Sequence, residues 1–119
     1  MAWHYNQSTG RLTRNGAFVG TGYSGKGQGY NNPLLDQVPN VGPIPRGTYR
    51  IGRPTTHPAK GPLTMSLTPI GHDAHGRTGF LLHGESIAHP GAASEGCIVL
   101  KRVLRQRICD SGDATLEVE

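Results

Sequence analysis

The chain has 119 residues, 34% of them hydrophobic, with 18 glycines, 9 prolines and a formal net charge of +4. That length holds one modest core and argues against two domains, and the Gly and Pro content favours short strands and turns over long helices. Recurring apolar runs and a small net charge exclude a solvated coil, and no apolar run approaches the roughly 20 residues of a membrane span.

Met1 to Tyr5 carries no basic region followed by an apolar core, so no signal peptide is expected. Trp3 to Gly22 reads as a meander, because Asn15-Gly16 between Arg11–Arg14 and Ala17–Gly20 is a strong two-residue hairpin signal. Tyr23 to Asn40 is rich in Gly, Asn, Lys and Pro without periodicity and predicts a long loop, either a binding loop or lid or a plain surface segment. Its Tyr23, Tyr30, Asn31 and Asn32 are candidates to contact a peptide or sugar.

Gly42-Pro43-Ile44-Pro45 predicts a Pro-fixed turn, and the alternation of Tyr49 with Ile51 predicts a half-buried strand after it. Gly52 to Gly61 reads as another loop, followed by a strand over Leu63–Leu67 that ends at Pro69. His72-Asp73-Ala74-His75 raises a metal reading. Zinc needs three or four ligands, and the available partners His83, His89 and Cys97 form no Cys-x-x-Cys or His-Glu-x-x-His spacing, so a polar loop is expected and no metal or cofactor.

The stretch from Phe80 to Leu100 carries the chemistry. An apolar run ends at His83-Gly84, a small-residue loop follows, and Ser94-Glu95-Gly96-Cys97 opens a second run, Ile98 to Leu100. Read as strand, loop, strand, alternation places Leu81 with His83 on one face and Cys97 beside Val99, so imidazole and thiol share a side. A thiol attacks as thiolate and needs a basic neighbour, which His83 supplies. The competing reading makes Cys97 a buried small hydrophobe and His83 a surface residue. Gly96 is expected to let a carbonyl approach the backbone and to leave an amide free for an oxyanion. Arg77, six residues before His83, is a candidate to pair with a substrate carboxylate, or else a solvated loop arginine.

Leu100, Val103, Leu104 and Ile108 fall on one helical face, Ser111-Gly112-Asp113 ends the helix, and Ala114–Val118 alternates as a last strand. Lys101, Arg102, Arg105 and Arg107 then cover the outer face. A pI of about 9.4 suits an anionic partner, peptidoglycan or nucleic acid. The absence of interleaved aromatic residues argues against nucleic acid. Cys109, the other cysteine, reads as structural and free, since a nucleophile must stay reduced.

His-Gly, a loop, then Ser-x-Gly-Cys and aliphatics resembles the catalytic signature of the L,D-transpeptidases, cysteine enzymes acting on peptidoglycan stem peptides. Glu95 stands where that pattern has His, and the loop from His83 to Ser94 is shorter than usual; both departures point to a subfamily. Further residues, among them Trp3-His4-Tyr5, Gly20-Thr21-Gly22-Tyr23-Ser24-Gly25, Gly42-Pro43-Ile44-Pro45 and Gly76-Arg77, resemble the L,D-transpeptidase effectors of bacterial type VI secretion.

The resemblance implies a mostly β chain with one short α-helix, a small L,D-transpeptidase-like β-sandwich or barrel forming one catalytic domain over residues 1–119. It implies Cys97 as nucleophile, His83 as base, and the Gly84 or Glu85 carbonyl as the group orienting His83. Gly96, Ser94, Arg77 and Tyr23 stand as the oxyanion and substrate-binding residues. The implied reaction is L,D-carboxypeptidase or L,D-transpeptidase chemistry with D-amino-acid exchange on tetrapeptide stems. The implied biology is an antibacterial toxin made in the cytoplasm, exported by the type VI secretion machinery, active in a target's periplasm and matched by an immunity protein. A non-catalytic wall-binding module and a metal-dependent amidase or peptidase built on His72 and His75 remain the alternatives.

Overall fold

A computed structural model describes residues 2–119; Met1, where the expected N-terminal stretch begins, lies outside the described residues. The strands are β1 (Trp3–Tyr5), β2 (Arg11–Arg14), β3 (Ala17–Thr21), β4 (Tyr23–Ser24), β5 (Gly47–Ile51), β6 (Thr55–His57), β7 (Gly61–Ile70), β8 (Phe80–His83), β9 (Ile98–Val99) and β10 (Thr115–Val118), with one α-helix, α1 (Arg102–Ser111). The sheet runs β3-β2-β1-β10-β5-β7-β8-β9-β4, and β6 adds to β7. Only β1–β10 and β8–β9 are parallel among the described pairs. Its two end strands, β3 and β4, are consecutive in the chain with Gly22 between them, so the sheet curls back on itself into a nearly closed barrel. A side chain at Gly22 has no room there, since its Cβ would lie 2.1 Å from the Val99 carbonyl oxygen.

Tyr5, Leu12, Tyr49, Met65, Leu82, Ile98 and Leu116 fill the interior, and α1 closes it with Leu104 and Ile108. The β2–β3 hairpin turns at Asn15 and Gly16, both at positive φ (54° and 78°), as a type I′ turn requires.

Several expectations change. The segment after Tyr23 is not an open loop: Tyr23–Ser24 pairs with β9, and two 3₁₀ turns, Gly27–Gly29 and Pro33–Leu35, fold the rest over the sheet. Gly52 to Gly61 contains β6, which pairs with the start of β7. β7 continues past Pro69 because β8 covers it only over Met65–Leu67, so the missing proline N–H faces an edge without a ladder partner. The buried helix face is Leu104, Arg105 and Ile108, with Val103 left 64% exposed. Arg105 is therefore removed from the solvated basic face. It donates to the Leu100, Pro62 and Leu63 carbonyls at 3.1, 2.9 and 3.0 Å.

Candidate active site

In the parallel β8–β9 pair Leu82 lies opposite Ile98 and His83 opposite Val99, which continues to Leu81 opposite Cys97. Paired residues point to the same side of a sheet. Leu82 and Ile98 therefore enter the core, while His83 and Cys97 share the other face, two residues apart along the ladder and one strand across.

The His83 ring is buried, and its Nδ1 lies 2.8 Å from the Gly84 carbonyl oxygen. A carbonyl only accepts, so Nδ1 carries the proton and Nε2 holds a free lone pair. Nε2 is buried and has no hydrogen-bond partner among the described residues. Burial pulls the His83 pKa below its ordinary value, against the Gly84 bond that raises it. Burial likewise pushes the Cys97 thiol up, against the Leu81 amide, which favours thiolate. Both shifts favour the neutral forms, imidazole and thiol. Cys97 Sγ is turned toward the Gly79 carbonyl oxygen at 3.8 Å, with no bond to His83. Cys97 opens on a cleft of about 420 Å³ whose walls include Leu81, Gly79, Arg77, Glu95, His57 and Lys60.

The loop between the strands is held by residues expected to touch substrate. Ser94 is fully buried; its Oγ donates to the Cys97 carbonyl and accepts from the Gly25 and Gly96 amides at 2.9 and 3.2 Å. The Gly96 N–H expected for an oxyanion is therefore already engaged. Gly96 is required for another reason: at φ 128° its Cβ would lie 2.3 Å from Arg77 Nη2.

Arg77 is not held open for a carboxylate. Nη1 donates to the Asp36 and Pro43 carbonyls, both at 2.7 Å, and Nη2 to the Gly42 and Glu95 carbonyls at 3.0 and 3.2 Å. The guanidinium ties the 36–43 segment to the 94–96 turn and lies over the Phe80 ring. Tyr23 is also structural. Its hydroxyl donates to Glu85 Oε1 at 2.6 Å and accepts from the Ala93 amide at 3.0 Å, while its ring stacks on Tyr30. Burial and then the Glu85 bond push its pKa up to about 12. Glu85 also accepts from the Ser86 and Gly91 amides, so its side chain braces the loop, and the carbonyl on His83 is that of Gly84.

His72 and His75 do not converge. His72 Nε2–H donates to the Thr48 carbonyl and Nδ1 accepts from Ala74 N–H, while His75 lies 3.6 Å from Asp36. No group of three or more His, Cys, Asp or Glu poised for a metal occurs among the described residues. Cys109 packs against the core as a free thiol. The cleft residues that sequence reading missed are His57 and Lys60, at the β6–β7 turn. Pro58-Ala59-Lys60-Gly61 after Thr-Thr-His was the available signal.

Residues 19–115 match the Tlde1 domain family. The chain is similar to the solved structure of Bd1075 from Bdellovibrio bacteriovorus, with 17% identity and a TM-score of 0.65 over 99% of this chain and 46% of that one. It is also similar to an L,D-transpeptidase from Mycobacterium smegmatis, with 16% identity and a TM-score of 0.50 over 99% of this chain and 58% of that one. The chain thus spans about half the length of these structures, and the likeness gives the L,D-transpeptidase fold. None of the curated proteins matches the sequence.

Proposed function

The chain belongs to the Tlde1 domain family of type VI effector L,D-transpeptidases, a family that modifies peptidoglycan, and from that premise we propose that it performs acyl transfer on tetrapeptide stems with Cys97 and His83. Cys97 Sγ attacks the carbonyl between the L-centre of the third-position diaminopimelate and the terminal D-Ala while His83 Nε2 takes the thiol proton. The tetrahedral adduct collapses to a thioester, and His83 returns the proton to the leaving D-Ala amine. A second nucleophile then attacks the thioester: its proton passes to His83 and on to the departing thiolate. Water gives carboxypeptidase products, an amine gives transpeptidation or D-amino-acid exchange.

One observation carries this reading: a buried imidazole whose Nδ1–H is fixed on Gly84 O, leaving Nε2 without a partner on the same sheet face as a cleft-lining thiol. A structural histidine would be expected to have both nitrogens paired, as His72 does. The family further supports delivery by type VI secretion into a rival's periplasm and a cognate immunity protein.

The test is mass spectrometry of purified muropeptides. The parent converts tetrapeptide to tripeptide stems, or to exchanged stems when a D-amino acid is supplied, with or without a chelator. Cys97→Ala gives no conversion and Cys109→Ala gives conversion near the parent rate. Conversion by Cys97→Ala at the parent rate would overturn the nucleophile assignment.

A further inference from the structure

A reaction at the bond next to the terminal D-Ala places a free α-carboxylate within a few ångströms of the attacked carbon. Something in the cleft has to balance that charge. Arg77 does not, because its Nη1 and Nη2 groups are committed to four main-chain carbonyls. Lys26 is committed as well, to Glu95 at 3.1 Å.

The β6–β7 turn overhangs the same cleft with different chemistry. His57 Nδ1 accepts from the Ala59 and Lys60 amides at 3.0 and 3.1 Å. An accepting Nδ1 is unprotonated, so the ring proton sits on Nε2, which is then a donor. Lys60 follows three residues later, exposed, lining the cleft with Cys97 and without an ion pair among the described residues. The acidic wall residue, Glu95, is paired with Lys26 and so leaves the Lys60 charge largely uncancelled.

Building on the tetrapeptide reading, we infer that the His57–Lys60 turn is the carboxylate subsite of the cleft, with Lys60 Nζ as the ion-pair partner and His57 Nε2–H as the hydrogen-bond donor to the terminal carboxylate. The field at the site agrees with this: the Lys60 charge favours both thiolate at Cys97 and neutral imidazole at His83, so it reaches the reacting groups. The subsite selects stems by where their carboxylate ends. A pentapeptide puts it one residue further out, and an amidated stem lacks it.

Two measurements test the subsite, and the first needs no peptidoglycan. Cys97 is alkylated with iodoacetate and with iodoacetamide, reagents of similar size that differ in charge. The ratio of their rates cancels the thiolate fraction, which both share. A lysine lining the same cleft as the thiol should favour the anion several-fold at low salt, so Lys60→Met is expected to lower the iodoacetate-to-iodoacetamide ratio about five-fold and Lys60→Glu further. The second measurement compares a tetrapeptide muropeptide with its C-terminal amide. The parent should prefer the free acid at least ten-fold in kcat/KM, as charge-assisted hydrogen bonds allow, and Lys60→Met should narrow that to about three-fold or less. An unchanged alkylation ratio in Lys60→Met, or a preference for the free acid as sharp as the parent's, overturns the subsite. If the alkylation ratio falls while the parent processes neither muropeptide, the anion subsite stands and the tetrapeptide assignment fails.

Discussion

Replacing Arg77 by Met removes the tie between the 36–43 segment and the 94–96 turn while keeping most of the side chain's apolar bulk. The guanidinium makes four hydrogen bonds to main-chain carbonyls and is 7% exposed. Bonds to a charged donor each contribute about 1.5–3 kcal/mol, and a buried acceptor left unpaired costs about 1–3 kcal/mol. Removing the cost of burying the cation returns part of this. A net loss of about 4 kcal/mol is therefore expected, a large part of the stability of a domain this size. With an unfolding entropy of about 2.1 cal/mol/K per residue, 119 residues give about 0.25 kcal/mol/K, so Tm should fall by roughly 16 °C. Circular dichroism melts of the parent, Arg77→Met and Arg77→Lys measure it. Lysine keeps the charge but cannot span four acceptors, so it should recover only part of the loss. A Tm within about 4 °C of the parent, together with a collapsed preference for tetrapeptide over pentapeptide stems, would refute this reasoning and return Arg77 to the role of substrate ligand.

Because His83 is buried with its pKa held below the ordinary value of about 6.5, the proposed base role puts the acid limb of kcat/KM below pH 6.5, where the imidazole takes a proton. The same depression makes the unfolded chain bind more protons than the folded one below pH 6.5, so stability should fall as pH drops through that window down to the folded pKa; urea melts at pH 7.5 and 5.5 check the sign, and a midpoint shift between the two pH values as large in His83→Phe as in the parent would contradict it. Gly96→Ala forces a Cβ to within 2.3 Å of Arg77 Nη2 at φ 128° and should cost about 2–4 kcal/mol in denaturant unfolding, with more than ten-fold loss of stem processing. Tyr23→Phe removes the hydroxyl shared by Glu85 and Ala93 and should cost about 1–2 kcal/mol while speeding proteolysis within residues 86–92; cleavage at the parent rate would show that the loop is held by other contacts.

The placement of Cys97 and His83 on one face, the Asn15-Gly16 hairpin and the helix stop at Gly112 were legible in the sequence because each depends on local geometry. Period-two alternation in Phe80–His83 and after Cys97 fixes which side chains share a face, and a left-handed turn or cap needs Gly or Asn at a defined position (Asn15 φ 54°, Gly16 φ 78°, Gly112 φ 70°). The roles of Arg77, Arg105, Tyr23, Ser94 and Lys60 came only from the tertiary structure. Arg77 and Arg105 meet main-chain carbonyls 34 to 43 residues away, and every loop offers carbonyls, so no residue type marks which ones an arginine will find. The Gly96 amide looked free because the Ser94 hydroxyl that takes it is set by the turn. β6 is three residues long, too short to show a period, and it is this strand and the turn after it that bring His57 and Lys60 to the cleft lined by Cys97. Sequence alternation determined which groups could react together; long-range pairing of polar groups decided which neighbours hold the site and which remain open to a ligand.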